Sequence, residues 1–328
     1  MTKSIKLPLI YLALFAGLAT TVLAQQPVEP LDEITDAPVN PTLAAMNQVP
    51  LKIGTAEARV AQVALMVNRN YPPGERTLYV ADRTLRLPTQ FVANDPRRRS
   101  NVGIEWTFDT RRSQAQTILN GIPQLWTSAE AVNQTRLAVN RWISLPCYSA
   151  DFGELPYPIA PGFENIEWVD DFYLGAEPQP FRPVAEITVG GFLPASFFRQ
   201  IWGAHGDDIL GVTYQFIFYD PATGQPTDID HNGKLDGFWS EIYFNGLYYW
   251  GDATSPGVDP FSVVDLQTIA LHESGHAFGL NHFGQTFENH GGFRVAAYNI
   301  MSQFYPGPFR SVSGTPTGTF CGLYGSWH

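Results

Sequence analysis

Residues 271–284 read LHESGHAFGLNHFG and contain three of the seven histidines in the chain. His272 and His276 are four positions apart, so in a helix both imidazoles leave the same face. Two nitrogens at that spacing suit a single zinc ion. Glu273 is not placed to bind the same ion directly, but its carboxylate can reach a water molecule on the metal. The stretch therefore predicts a metal-binding helix.

Gly279 is predicted to end this helix, because glycine readily takes the left-handed conformation that turns the chain. The turn brings His282 back towards the same ion. Three histidine ligands leave the fourth tetrahedral position open, which is typical of catalytic zinc sites. The alternative is a helix that carries unrelated surface histidines. Upstream, DPFSVVDLQTIALHESGHAFGL predicts that the helix starts at Ser262, with Asp265 as its capping partner.

Composition limits the partners of this chain of 328 residues, which has a formal net charge of -11. An acidic protein repels nucleic acid and anionic membrane surfaces, so neither is expected as a partner. The hydrophobic content of 44% is enough for a substantial core. The 29 glycines and 26 prolines indicate many turns and long connections rather than a helical bundle.

The N-terminus has the pattern of a secretory signal peptide over residues 1–24. Lys3 and Lys6 precede an apolar run over residues 7–23, and small residues lead to a cleavage site after Ala24. The alternative is an uncleaved membrane anchor. No later segment is apolar enough to span a bilayer, so no stable membrane insertion is expected after cleavage. The prediction is a secreted, extracellular protein, with the periplasm as the alternative destination.

Cys147 and Cys321 are the two cysteines of the chain. Export places them in an oxidising environment, which favours a single long-range disulfide. The alternative is a pair of buried free thiols.

The chain divides near residue 100. Residues 25–100 form an N-terminal extension or a pro-region; one hypothesis is that this segment covers a cleft and is removed near Arg97, Arg98 and Arg99. The alternative is a structural extension that stays. Residues 101–328 combine the amphipathic segment SAEAVNQTRLAVNRWISL, several alternating strands and the histidine helix, which predicts an α+β fold.

HESGHAFGLNH resembles the HExxHxxGxxH signature of the metzincin metallopeptidases. That family has a methionine in a tight turn below the metal, and Met301 in YNIMSQFYPG stands in the matching place. Tyr305 matches the matrixin pattern, in which this tyrosine lines the pocket beyond the scissile bond. LGVTYQF, with Val212 and Thr213, resembles the matrixin edge strand that would pair with an extended peptide along the substrate cleft.

The resemblance implies a matrixin-like, metzincin-like catalytic domain over residues 101–328. Its expected parts are a twisted mixed β-sheet, an active-site helix, a second long helix and a Met-turn below the zinc. The implied activity is that of a secreted zinc endopeptidase acting on proteins or peptides, with Glu273 as general base. Two other classes remain open: a non-catalytic zinc-containing binding module, and a zinc hydrolase of cell-wall peptides. The intact glutamate favours an enzyme.

A second motif, DIDHNGKLDG, has the spacing of a calcium-binding loop. Gly233 stands at position 6, but Trp239 replaces the bidentate glutamate of position 12. The alternative is an Asx-rich turn between two strands. The candidate calcium ligands, at positions 1, 3, 5 and 9, are Asp228, Asp230, Asn232 and Asp236.

Overall fold

The computed structural model describes most of the chain from residue 46 onwards. The described residues are 46–48, 51–53, 55–68, 77–79, 89–100, 103–112, 118–119, 122–123, 127–157, 168–169, 172, 183–259, 262–289 and 292–327. The predicted signal peptide, residues 1–24, lies outside them. Within these ranges, none of the helices has the length and apolar character needed to cross a bilayer.

A curled mixed sheet of ten strands forms the middle of the fold. Its strands are β1 (Leu51–Ile53), β2 (Ala56–Val67), β3 (Thr77–Tyr79), β4 (Thr89–Gln90), β5 (Gly103–Phe108), β8 (Asp151–Glu154), β9 (Ile187–Leu193), β10 (Ile209–Asp220), β11 (Gln225–Pro226) and β12 (Leu235–Asn245). Seven of them lie side by side in the order β1-β2-β10-β12-β9-β5-β8, while β3, β4 and β11 pair with β2, β12 and β10. Separate two-stranded pairs are formed by β6 (Ile118–Leu119) with β7 (Ile122–Pro123), β13 (Trp250–Gly251) with β14 (Val264–Asp265), and β15 (Gln285–Asn289) with β16 (Gly292–Ala296).

Four α-helices of the described chain accompany the sheet, which confirms the α+β class. They are α1 (Ser128–Ile143), α2 (Ala195–Trp202), α3 (Leu266–Ala277) and α4 (Thr315–Tyr324). The predicted amphipathic helix is α1, which begins with a capping box between Thr127 and Glu130. Trp142 near the end of α1 donates a hydrogen bond from Nε1 to the carbonyl oxygen of Leu271 at 2.9 Å. This bond joins α1 to the histidine helix α3.

The two faces of β10 belong to different core clusters. Val212, Tyr214 and Phe216 are buried on one face, as their alternation predicts, and belong to a cluster that includes Leu65 of β2. The opposite face of β10 lies against α3, where Thr213 contacts Glu273. The sheet therefore presents one strand face directly to the histidine helix.

β10 is not the edge strand of the described sheet, contrary to the sequence interpretation. β2 pairs with it antiparallel, from Val67 opposite Ile209 to Glu57 opposite Tyr219. β2 comes from the segment assigned to the N-terminal extension. The described part of residues 25–100 therefore contributes strands to the same sheet as residues 101–328.

The basic turn proposed as a processing site is built into the fold. Arg98 is 4% exposed, donates hydrogen bonds to the carbonyl oxygens of Val92 and Gly103, and pairs with Glu186 at 3.3 Å. Arg97 forms ion pairs of its own. Arg99, in the same turn, has a side chain that is 41% exposed, and removal of the N-terminal segment near these three arginines stays a prediction.

Cys147 and Cys321 form the predicted disulfide, with their Cα atoms 5.5 Å apart. The bond joins the turn after α1 to α4. Because it closes a loop across 174 positions of sequence, it removes much conformational freedom from the unfolded chain.

Candidate metal centre

The histidine helix begins four residues later than the sequence predicts. Asp265 itself is the N-cap of α3, and its side chain accepts a hydrogen bond from the backbone N–H of Thr268 at 2.9 Å. The prediction of a start at Ser262 is wrong. A start there would place Asp265 inside the first turn, whereas Asp265 precedes the helix and accepts a hydrogen bond from one of the free N–H groups at its start. Arg310 pairs with Asp265 and holds the cap in place.

The structure brings the three predicted histidines together. Ring nitrogens of His272, His276 and His282 all lie within 4.8 Å of one another. α3 ends at Ala277, and Gly279 follows with a φ of +91°, the left-handed conformation that the sequence predicts. The resulting turn carries His282 back to the face of the helix that holds the other two.

Hydrogen bonds on the far side of two rings set the direction of their metal-binding nitrogens. Nδ1 of His272 lies 2.7 Å from the carbonyl oxygen of Ile300, and Nδ1 of His276 lies 2.7 Å from that of Leu280. A carbonyl oxygen only accepts, so each Nδ1 carries the proton and each Nε2 keeps a free lone pair. The two Nε2 atoms are 3.0 Å apart. Two acceptors at that distance repel each other unless a cation lies between them, so the donor set fits a metal ion such as zinc.

Burial keeps these imidazoles in the neutral form that binds metals. His272 and His276 are fully buried, and the loss of hydration lowers the pKa of His272 to about 4. Burial, with the neighbouring His272 as a smaller cause, also lowers the pKa of His276. Neither ring therefore needs to lose a proton before binding a cation at neutral pH.

Glu273 directly follows His272 in α3 and is fully buried. Its Oε2 accepts a hydrogen bond from the Thr213 hydroxyl at 2.6 Å, and its Oε1 accepts one from the backbone N–H of Met66 at 3.2 Å. Burial raises the pKa of this carboxyl to about 8, although both hydrogen bonds oppose the shift. A carboxyl in that range can both accept and release a proton near neutral pH.

Met301 lies in a tight turn that packs directly on α3. Its Sδ atom is 2.5 Å from the point that a Cβ on Gly275 would occupy, so the glycine permits the close approach. The turn is stabilised by Asn299, whose side-chain oxygen accepts from the N–H of Met301 at 2.8 Å, and by Ser302, which accepts from the N–H of Asn299 at 3.0 Å. The pattern of the sequence alone does not single out these two polar residues.

The three residues predicted to line the substrate pocket, Tyr305, Thr213 and Val212, do not lie together in one place. Tyr305 donates its backbone N–H to the carbonyl oxygen of Val67, and its hydroxyl accepts from the N–H of Asp265 at 3.0 Å. Thr213 holds Glu273. Val212 is fully buried in the cluster on the other face of the sheet, and its backbone is in register with Leu65.

Three contacts of the centre are not predicted by the sequence. Met66 on β2 donates its backbone N–H to Glu273. Gln62, also on β2, donates to the side-chain oxygen of Asn281 at 2.9 Å, and Asn281 directly precedes His282. Gln215 on β10 donates to the carbonyl oxygen of His276. The contact of Gln215 could have been expected, because a polar side chain on the helix-facing side of a buried strand needs a hydrogen-bond partner. No local pattern connects β2 with α3.

The second predicted metal site is partly assembled. Asp228, Asp230 and Asp236 offer oxygens within 4.8 Å of one another. The Asn232 side chain donates to Asp230 at 2.8 Å. Asp236 is fully buried and already pairs with Arg97 at 2.7 Å, so part of the negative charge that would attract calcium is neutralised. Calcium binding stays a prediction.

No protein-family model matches this chain, and no curated protein matches it either.

Proposed function

We propose that this chain is a secreted zinc-dependent endopeptidase of the matrixin-like metzincin type, acting on proteins or peptides. The observation that carries the proposal is the approach of the two Nε2 atoms of His272 and His276 to 3.0 Å of each other, in a group of three histidines whose ring nitrogens all lie within 4.8 Å of one another. His282 supplies the third nitrogen, and Glu273, next to His272 in the sequence, is fully buried. A structural zinc site would need a fourth protein ligand, whereas three ligands leave a position for water and substrate.

In this proposal the three histidines hold the metal and Glu273 moves the protons. A bound zinc ion would supply a Lewis acid for the scissile carbonyl and would lower the pKa of a water molecule. Glu273 takes the proton from that water as general base and later delivers it to the leaving amine. Thr213 orients the carboxylate through the 2.6 Å hydrogen bond. Met301 packs against the helix from below and is not a ligand.

The second candidate is the non-catalytic zinc-containing binding module. It is favoured by β2, which pairs with β10 along the edge where an extended peptide substrate would have to lie. If β2 never leaves this position, no substrate peptide can pair with β10 beside the metal. Peptide cleavage by the zinc-loaded chain separates the two candidates.

The test compares metal content and peptide cleavage across five variants. Replacing His272, His276 or His282 by alanine removes a ligand, so zinc occupancy and cleavage should fall together. Glu273→Ala keeps all three ligands, so zinc should remain near one ion per chain while cleavage falls by about 10² to 10⁴. Glu273→Asp should also cleave poorly, because the shorter side chain withdraws the carboxylate.

Metal content is measured by mass spectrometry, and cleavage with casein and peptide pools. If Glu273→Ala cleaves as fast as the parent chain, the proposed mechanism is wrong. A zinc-loaded parent chain that cleaves no protein, peptide or cell-wall peptide would leave the binding module as the function.

A further inference from the structure

The end of β2 lies in a channel with backbone on both sides. On one side, Met66 is in register with Gly211 of β10 in an antiparallel pair. On the other side, Val67 donates its N–H to the carbonyl oxygen of Gln303 at 3.0 Å, and its carbonyl oxygen accepts from the N–H of Tyr305 at 3.0 Å. The second pairing is parallel and centred on Phe304. An extended peptide bound by main-chain hydrogen bonds would lie in this way.

One peptide bond in this channel faces the carboxyl of Glu273. The N–H of Met66 donates to Oε1 of Glu273 at 3.2 Å, so the nitrogen of the Leu65–Met66 bond lies beside the proposed proton donor. Hydrolysis of a peptide bond requires a proton on that nitrogen as it leaves. A general acid must be within hydrogen-bond reach of the atom it protonates, and this pair satisfies the condition.

The side chains of β2 alternate across this bond as they would in a bound peptide. Met66 is fully buried in the cluster that contains Ile269 of α3 and Met301. Leu65 and Val67 belong to the cluster on the opposite face of the sheet. Opposite Met66, a Cβ on Gly211 would lie 2.8 Å from Ile269 and 2.9 Å from Glu273. The glycine therefore allows strand, helix and Met66 to meet closely at the centre.

We propose that Leu65–Met66 is a self-cleavage site, with β2 lying in the channel as a tethered substrate; this rests on the proposed peptidase function. The reaction is a simple hydrolysis. Water adds its hydroxyl to the carbonyl carbon of Leu65 and the C–N bond breaks, while the nitrogen of Met66 gains the proton through Glu273. The products are a carboxylate at Leu65 and an amine at Met66, and water is the only co-reactant.

Upstream contacts hold the strand on the carboxylate side of the cut. Asn47 bonds both backbone groups of Val60 at 3.0 Å, and Gln62 bonds Asn281 at 2.9 Å. The disulfide between Cys147 and Cys321 lies wholly on the other side. The two fragments therefore share no covalent link and separate under denaturing conditions.

The experiment starts from the full chain purified without metal in the presence of a chelator. Zinc is added, and intact mass and N-terminal sequencing follow the products over several hours. A new N-terminus reading Met66-Val67-Asn68 is expected, at a rate that does not depend on protein concentration. Absence of this product in a folded, zinc-loaded chain, a cut at another bond, or a rate that rises with protein concentration would each overturn the proposal.

Two sets of variants sharpen the test. Glu273→Gln should bind zinc and leave the bond intact; cleavage that persists in this variant points to another protease and contradicts self-cleavage. Met66→Leu should still be cut, because it keeps an apolar side chain of similar volume, whereas Met66→Lys should not. Circular dichroism and the disulfide report whether the lysine variant is folded. If Met66→Lys is folded and cut as fast as the parent, the proposal fails.

A measurement independent of activity tests the placement of β2. In zinc-loaded Glu273→Gln, the amides of residues 62–67 should exchange hydrogen slowly, because β10 and the turn after Met301 hold them. Fast exchange there would refute the tethered-substrate arrangement. Casein cleavage by a chain whose Leu65–Met66 bond stays intact would reject self-cleavage alone. A zinc-loaded chain that cleaves neither would reject the proposed function as well.

Discussion

Thr213 and Glu273, 60 positions apart in sequence, are joined by a hydrogen bond of 2.6 Å from the threonine hydroxyl to Oε2 of the carboxyl. Both side chains are fully buried. When Glu273 is ionised, as a general base must be, a hydrogen bond to this charged group is worth roughly 1.5 to 3 kcal/mol. Thr213 therefore orients the carboxyl that the proposed mechanism depends on, although it touches neither metal nor substrate.

Thr213→Val keeps the shape of the side chain but removes the hydroxyl. We expect kcat to fall by about 10- to 100-fold, in line with the loss of one charge-assisted hydrogen bond, with a small change in KM and unchanged zinc content. Thr213→Ser should restore most of the activity because it returns the donor. Steady-state kinetics and metal analysis are the measurements; a valine variant as active as the serine variant would contradict a positioning role.

Gly275→Ala should destabilise the protein although alanine favours helices. The new Cβ would lie 2.5 Å from Sδ of Met301 and 2.8 Å from Trp142, and such overpacking costs roughly 1 to 3 kcal/mol. Gly318→Ala in α4 is the matched control, since no atom lies within 4 Å of its new Cβ. The control should gain up to about 1 kcal/mol from helix propensity. Thermal unfolding of both variants tests the pair, and equal shifts would contradict the described packing of the Met301 turn.

Gly279→Ala should weaken both folding and metal binding. Its Cβ would lie 2.0 Å from the carbonyl oxygen of Thr89, at a φ of +91°, so the turn that returns His282 must move. Gly257→Ala has a similar φ of +82° with open space around it, and should cost only the conformational strain of about 1 to 2 kcal/mol. Zinc titration should show a raised Kd for Gly279→Ala alone. Equal zinc affinity in both variants would argue against the role of this turn.

Calcium should raise the Tm if the loop from Asp228 to Asp236 binds it, because calcium then binds the folded state preferentially. At about 100 times the Kd, the free energy of unfolding rises by about 2.7 kcal/mol. Asp230→Ala should abolish this response without changing zinc content. The measurement is thermal unfolding with and without millimolar calcium. An unchanged curve for the parent chain would leave an Asx-rich turn stabilised by Arg97.

Local features of the centre could be predicted because they repeat over a few residues. The spacing of His272 and His276 follows the helical period, and Gly279 marks the turn before His282. The alternation of β10 likewise predicts which of its side chains are buried. The start of α3 could not be predicted correctly. Asp265 can serve either as the N-cap or as a residue of the first turn, and only the folded backbone distinguishes the two.

Contacts between distant segments could not be predicted in the same way. The sequence of β2 contains nothing that identifies β10 as its partner, because strand pairing depends on which hydrophobic faces meet in the finished sheet. Met66 therefore could not be recognised as a neighbour of Glu273. The burial of Arg98 follows from its bond to Glu186, another partner far along the chain.

The position of β2 bears on how this protein folds, because its contacts are expected to be among those that form late. The hydrogen bond between Met66 and Glu273 joins residues 207 positions apart, and contacts over such separations form slowly. Until β2 arrives, the edge of β10 and the apolar face that bears Tyr214 and Phe216 are available to other unfolded chains. The same strand that contacts Glu273 therefore also covers a strand edge that would otherwise favour aggregation.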